Sequence, residues 1–102
     1  MSELQVRAPV VLDRATMPEF CRVALAIVEA PAAERGAIER VVVELGGTTR
    51  VDSAGLGALV MVRERAAELK RTVCLRGASE ELRFLLILTR LEDRFEFEPA
   101  AA

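Results

Sequence analysis

The sequence predicts an α/β domain in which helices lie against a central sheet. Its second half alternates strand, helix, strand, helix and strand, beginning with the β-branched run Val41-Val42-Val43. An uninterrupted apolar run of this kind is typical of a strand that is covered on both faces. The segments between the predicted strands are long enough for helical crossovers, which require parallel neighbours and right-handed connections.

Length and composition indicate one soluble domain that spans residues 1–102. Hydrophobic residues make up 52% of the chain and charged residues 29%, and the net charge of −2 arises from interspersed acidic and basic residues. This pattern lacks the basic surface that nucleic acid or an anionic membrane requires. No apolar run reaches the roughly 18 residues of a membrane span, and the N-terminus shows no signal peptide. We therefore expect a cytoplasmic protein without membrane insertion and without direct contact to nucleic acid.

The absence of histidine narrows the chemistry that the chain can perform. Without it, the usual general base and the commonest transition-metal ligand are missing. The two cysteines, Cys21 and Cys74, lack CxxC spacing and are expected to be reduced and partly buried. We expect no cofactor and no metal site.

The first third of the chain predicts a strand region followed by one helix. Apolar patches within residues 4–12 are separated by Pro9, which predicts an edge hairpin or a single broken strand. Thr16 and Glu19 have capping-box spacing at a helix start, and Pro31 ends that helix before a loop that reaches Gly36. The apolar stripe of this helix contains Phe20, Val23, Ala24, Ile27 and Val28.

Three strands and two helices are predicted for the remainder. We expect strands at 38–45, 72–76 and 95–97, and a long amphipathic helix that starts near Gly55. Its apolar residues recur at steps of three and four: Leu56, Leu59, Val62, Ala66 and Leu69. At its C-terminal end, basic residues complement the helix dipole: Lys70 and Arg71.

A shorter helix is predicted over 79–89, with Ser79 as its N-cap. It is apolar around much of its circumference, so it is either mostly buried or lends one face to a partner. We expect three of the phenylalanines to pack in the core or at an edge of the sheet: Phe84, Phe95 and Phe97.

The stretch with the most chemistry is Asp52-Ser53-Ala54-Gly55-Leu56-Gly57, at the junction between a strand and the long helix. In an open α/β sheet, ligands and partners meet the carboxyl ends of strands and the N-termini of the helices that follow. The first N–H groups of a helix lack intrahelical partners and favour an anion. A simpler reading is that Asp52 or Ser53 only caps the helix.

Enzyme mechanisms do not fit this stretch. A serine nucleophile needs a base, and the only lysine, Lys70, is 17 residues away near the far end of the same helix. A phosphate-binding loop would need a lysine after the glycines, and none follows. Carboxylates for a metal are limited to Asp52 and Asp13. We therefore predict that the protein is not an enzyme.

The motif Val51-Asp52-Ser53-Ala54-Gly55-Leu56-Gly57-Ala58-Leu59 resembles that of STAS domains, and in particular the bacterial anti-sigma factor antagonists. The resemblance continues through Val73-Cys74-Leu75-Arg76-Gly77-Ala78-Ser79 and the leucine-rich segment 82–91. Leu12-Asp13 resembles the Leu-Asp element of the family. The likeness covers nearly the whole chain and is strongest over 41–97. It departs at Ala54, where the family often has a second Ser or Thr.

The resemblance implies a single STAS-like domain with a four- to five-stranded mixed sheet and helices packed mainly on one face. It also implies a partner switch. The unphosphorylated protein would bind an anti-sigma factor that is itself a serine kinase, and phosphorylation of Ser53 would release it until a protein phosphatase reverses the modification. The resemblance places the partner-binding surface at Asp13, Asp52, Ser53, Ala54, Gly55, Leu56 and Gly57. The protein itself would be a monomer or a weak homodimer.

A second function is compatible with the same motif. Arg50-Val51-Asp52-Ser53-Ala54-Gly55-Leu56 also suits the STAS subunit of a bacterial phospholipid-transport ABC complex, which docks on the ATPase of that complex. The sequence alone leaves both alternatives open.

Overall fold

The computed structural model describes residues 2–31 and 39–100, which form two parallel sheets and three helices. The strands are β1 (Ser2–Arg7), β2 (Val11–Leu12), β3 (Glu39–Glu44), β4 (Arg50–Val51), β5 (Thr72–Arg76) and β6 (Glu96–Glu98). The helices are α1 (Met17–Val28), α2 (Ser53–Glu68) and α3 (Glu80–Leu88), and a 3-10 turn follows at Glu92–Arg94.

The main sheet has the strand order β1-β3-β5-β6, and every pair of neighbours is parallel. β2 and β4 form a separate parallel pair. The α/β class and the four-stranded sheet are therefore confirmed, whereas the expected mixture of strand directions is wrong. The direction follows from the connections, because each strand of the main sheet is joined to the next one in the chain by a segment that contains a helix.

All three helices cover the same face of the main sheet. The hydrophobic core combines alternate residues of the central strands, Val41 and Val43 of β3 with Val73 and Leu75 of β5, with the buried stripes of the helices. Side chains of a strand alternate between its two faces, so this pattern leaves the opposite face of the sheet without a helix.

The N-terminal strand region is broken at Pro9, as one of the two alternatives predicted. β1 becomes an edge of the main sheet, while β2 pairs elsewhere. The predicted capping box is wrong: the Thr16 hydroxyl donates to the carbonyl of Val11 at 2.7 Å and makes no capping bond to α1. The expected loop as far as Gly36, and Ile38 at the start of the predicted strand, lie outside the described residues.

The open face of the main sheet is covered by charged side chains. Val42 and Cys74 lie on this face, yet both are fully buried. Arg40 and Arg76 extend over them and form ion pairs with N···O distances from 2.6 to 3.2 Å. The carboxylate partners come from β1, β3 and β6: Glu3, Glu44, Glu96 and Glu98. This ion-pair lattice, rather than a second layer of helices, explains why the run at 41–43 is apolar throughout.

The lattice and the burial beneath it shift several pKa values. Hydrogen bonds from Arg76 and then Arg40 lower the pKa of Glu3 to about 2, and the same arginines lower the pKa of Glu98. Burial raises the pKa of Cys74 to about 11. Cys21 and Cys74 are both free in the structure, and both are buried rather than partly buried as predicted.

We expect Glu3→Gln to flatten the acid side of the stability profile. A lowered carboxyl pKa contributes stability that is present above the ordinary value of 4.5 and is lost as the pH falls toward about 2. The variant should therefore lose less stability than the wild type between those two pH values, as urea unfolding at a series of pH values would show. Glu80→Gln removes a carboxylate outside the lattice and is the matched control. An unchanged slope in Glu3→Gln would contradict the stabilising role of the lattice.

The basic end of α2 has a different task from the one predicted. Arg71 donates to the carbonyl oxygens of Val28 and Ala30, and the distance to Ala30 is 2.7 Å. These carbonyls lie at the C-terminal end of α1, where such groups have no intrahelical partners. Arg71 therefore ties the ends of α1 and α2 together. Lys70 adopts a left-handed backbone, with φ of 59°, just after α2.

Candidate functional site

The candidate site is built on the short parallel pair of β2 and β4. Leu12 is paired with Val51, and the N–H of Asp52 donates to the carbonyl of Leu12 at 3.2 Å. The next residues along these strands, Asp13 and Asp52, therefore lie at the same end of the pair. A side-chain hydrogen bond also holds this segment, because the Thr48 hydroxyl donates to the Pro9 carbonyl at 2.8 Å.

Asp52 is the N-cap of α2. Its backbone is extended, and its Oδ1 accepts a hydrogen bond from the N–H of Gly55 at 2.9 Å. Ser53 is the first residue of the helix and is exposed. Its hydroxyl makes no hydrogen bond to any described residue. Asp52 alone therefore caps the helix, and the Ser53 hydroxyl has no part in holding the fold.

The two glycines of the motif have opposite environments. Gly55 is buried, and a Cβ placed on it would lie 2.2 Å from the carbonyl oxygen of Leu12. Only glycine allows α2 to approach β2 so closely. Gly57 is exposed, and a Cβ placed there would meet nothing within 4 Å. The fold therefore requires glycine at position 55 and does not require it at position 57.

Asp13 is held by its own loop. Its Oδ1 accepts hydrogen bonds from the N–H groups of Ala15 at 2.9 Å and Thr16 at 3.1 Å. The N–H of Thr16 is the main reason that the pKa of Asp13 lies below its ordinary value. The other carboxylate oxygen is 3.9 Å from Arg50. Asp13 is thus a fixed negative charge beside the start of α2.

The structure sorts the seven predicted docking residues by exposure. Ser53 and Gly57 are exposed, and Gly55 is buried. The others are half-buried: Asp13, Asp52, Ala54 and Leu56. Gly55 supports this surface from beneath and is not accessible on it. Within the ranges 2–31 and 39–100, no group of three or more acidic or cysteine side chains is arranged to hold a metal ion.

The surface next to this motif is formed by α3, which is not mostly buried, so the structure excludes one of the two predicted alternatives. Only Leu82 and Leu86 are buried. Phe84 is 59% exposed, so the prediction that it packs in the core or at an edge is wrong. Its exposed apolar neighbours are Leu85, Ile87 and Leu88. In the sequence, this helix is apolar around much of its circumference. That pattern is compatible either with burial or with a face that contacts a partner.

A cleft connects α3 with the segment that leads into Ser53. Thr48, Thr49, Arg50 and Val51 form one wall. The other wall consists of residues from the start of α3: Ser79, Glu81, Leu82 and Leu85. Ser79 caps α3 as predicted, because its hydroxyl accepts the N–H of Leu82 at 3.1 Å. The cleft therefore brings Leu85 of α3 close to Val51, two residues before Ser53.

The fold and the Asp-Ser turn together define a STAS-type domain, and solved structures share this architecture. The chain is similar to a STAS-domain anti-sigma-factor antagonist of Planctomyces limnophilus, with a TM-score of 0.76 and 16% identity, over 96% of this chain and 82% of that one. It is also similar to a protein of Thermotoga maritima proposed to be an anti-sigma factor antagonist, with a TM-score of 0.71 and 18% identity, over 92% and 78% of the two chains.

A third similar structure is a sulfate transporter family protein of Wolinella succinogenes, with a TM-score of 0.69 and 13% identity, over 95% of this chain and 77% of that one. At such identities the likeness concerns the fold. No curated protein matches the sequence. The family model described as "Mlab, STAS domain" matches residues 2–97, and the chain belongs to that family. Among the described residues, no helix is both long and apolar enough to span a membrane.

Proposed function

We propose that the protein is a partner-switching regulator, an anti-sigma factor antagonist whose docking surface is centred on Ser53. Unphosphorylated, it binds an anti-sigma factor serine kinase, and phosphorylation of Ser53 releases that partner. The observation that carries this proposal is the Ser53 hydroxyl, which is exposed at the start of α2 and bonds to none of the described residues, while Asp52 performs the capping. A hydroxyl without a structural task can be modified without unfolding the domain.

The surroundings of Ser53 suit a charge-based switch. A phosphoryl group adds a charge of about −1.5 to −2. The N-terminus of α2 accommodates this charge in the free domain, since it carries the positive end of the helix dipole. In a complex, the same group would be desolvated beside Asp52 and the fixed charge of Asp13, and this clustering of negative charge weakens docking.

Gly57 gives separate support to a docking surface. Glycine inside a helix costs roughly 0.5 to 1 kcal/mol relative to alanine. The structure offers no steric reason for it, because the space around a Cβ at this position is open. Gly57 lies one turn after Ser53 on α2. A smooth surface next to Ser53 would let the backbone of a partner approach closely, which is a functional reason for this unfavourable residue.

Phosphorylation of Ser53 is the direct test. A serine-kinase anti-sigma factor from the source genome, incubated with the protein and ATP, is expected to add one phosphoryl group, visible in the intact mass. Tandem mass spectra should place it on Ser53, and Ser53→Ala should stay unmodified. Ser79→Ala is a matched control at the start of α3, and it should still accept the group. Absence of the modification, or its location at another residue, would refute the proposal.

The second candidate function is docking on the ATPase of a phospholipid-transport ABC complex. One observation favours it. The matching family is described by the name Mlab. Here Ser53 would be a permanent contact and not a switch. Binding to a transporter ATPase without phosphorylation by any serine kinase would favour this candidate over the first.

A further inference from the structure

We propose that the exposed apolar face of α3 is the second half of the docking surface and is covered by the same protein that binds at Ser53. This α3 face consists of Phe84, Leu85, Ile87 and Leu88, which are 59%, 37%, 51% and 62% exposed. The proposal rests on the proposed function, because it extends the surface centred on Ser53. Large apolar side chains gathered on one helix mark sites of protein association.

The orientation of α3 places part of this face toward the Ser53 turn. The guanidinium of Arg83 lies over the ring of Phe97 of β6, 4.6 Å from its centroid, so this side of α3 faces β6. Leu85 is two residues further along and therefore about 200° away around the helix, on the opposite side. It lines the cleft together with Val51, two residues before Ser53. Leu88 follows Leu85 by nearly one turn of the helix.

Interface size explains why one partner covers both regions. A stable protein interface buries about 800 Å² on each side and involves roughly 20 to 30 residues. The Ser53 motif offers only a few accessible residues, and of these only Ser53 and Gly57 are exposed. An interface centred on Ser53 must therefore extend over adjacent surface, and the cleft leads directly to the α3 face. A few well-packed anchor residues supply most of the binding energy of an interface.

The two regions require a partner with two kinds of contact. Its surface carries an apolar ridge that packs on the α3 face. Beside the ridge it presents a polar group that meets the neutral hydroxyl of Ser53. Phosphorylation disturbs the second contact only, so the α3 face provides affinity and Ser53 provides control. The switch then works because the two contacts share one rigid partner surface.

The test compares variants in which one exposed apolar residue is replaced by serine. Phe84→Ser and Leu88→Ser remove anchors of the α3 face, and Leu69→Ser is the matched control. Leu69 is 39% exposed at the C-cap of α2, at the opposite end of this helix from Ser53. Thermal unfolding should show that all three variants remain folded.

Binding would be measured against purified serine-kinase anti-sigma factors and transporter ATPases from the source genome. We expect Phe84→Ser and Leu88→Ser to weaken binding about thirtyfold or more, and Leu69→Ser to bind like the wild type. If Ser53→Asp abolishes binding while the two α3 variants bind normally, the α3 proposal is wrong and the proposed function stands. If Ser53→Asp binds like the wild type, or no such protein binds the wild type at all, the proposed function falls and this inference with it.

Two further measurements on the protein alone test whether a second copy of this chain or a lipid surface covers the α3 face. Sedimentation of the wild type at rising concentration would reveal a second copy on this face, if self-association disappears in Phe84→Ser. Flotation with phosphatidylcholine–phosphatidylglycerol vesicles would reveal a lipid surface, if Leu88→Ser reduces the bound fraction. Either result would overturn the proposal. The proposal is supported if the protein sediments as a monomer, does not float with the vesicles, and loses partner binding in the two α3 variants.

Discussion

Ser53→Asp is expected to weaken binding of the partner by about a hundred- to a thousandfold. The substitution places a permanent negative charge at the first position of α2, next to the half-buried carboxylate of Asp52 and near Asp13. Losing about 3 to 4 kcal/mol through desolvation and repulsion corresponds to this change in affinity. The fold should persist, since an acidic residue in the first turn of a helix is favourable. Isothermal titration calorimetry gives the affinity, and circular dichroism verifies the fold.

Two matched variants separate charge from size. Ser53→Asn introduces a side chain of the same shape as aspartate without its charge, and it should lose much less affinity. Ser53→Ala keeps the position neutral and should bind constitutively, even in the presence of kinase and ATP. Equal affinities for Ser53→Asp and Ser53→Asn would show that bulk and not charge controls the interface.

Gly55→Ala is expected to lower the free energy of unfolding by about 3 kcal/mol. The new Cβ would lie 2.2 Å from the carbonyl oxygen of Leu12 and 2.9 Å from side-chain atoms of Leu12 and Val51. The carbonyl is part of the backbone and accepts the N–H of Asp52, so it cannot move without disturbing the β2–β4 pair. This loss exceeds the gain in helix propensity of roughly 1 kcal/mol. Urea unfolding measures the change.

Gly57→Ala is the control for this prediction. It makes the same substitution two residues later in the same helix, where the structure leaves open space. It should raise the free energy of unfolding by about 0.5 to 1 kcal/mol. Opposite signs for the two substitutions would verify how α2 is seated on β2. A Gly55→Ala variant as stable as the wild type would contradict the close approach to Leu12.

Local patterns predicted the elements with strong signals. β5 occupies the predicted residues, and α3 runs from Glu80 to Leu88 after the predicted N-cap Ser79. The capping residue and the apolar periodicity of such segments depend on near neighbours, so a single sequence reveals them. The pairing of β2 with β4 was not predicted. Each strand has two residues, and their pairing is decided by contacts between distant parts of the chain.

The sequence by itself determined that the chain is an α/β domain with one serine of functional interest at a helix start. It did not decide between Asp52 and Ser53 as the cap, because both residue types accept the same hydrogen bond. Only the folded chain shows that Asp52 accepts the N–H of Gly55, whereas the Ser53 hydroxyl bonds to no residue within 2–31 and 39–100. Likewise, composition could not decide whether the apolar circumference of α3 is buried, because that depends on what the rest of the chain covers. In the folded chain Leu82 and Leu86 are buried in the core, whereas Phe84 and Leu88 are exposed. The reason is that the sheet carries a single layer of helices, so no second layer covers the outer side of α3.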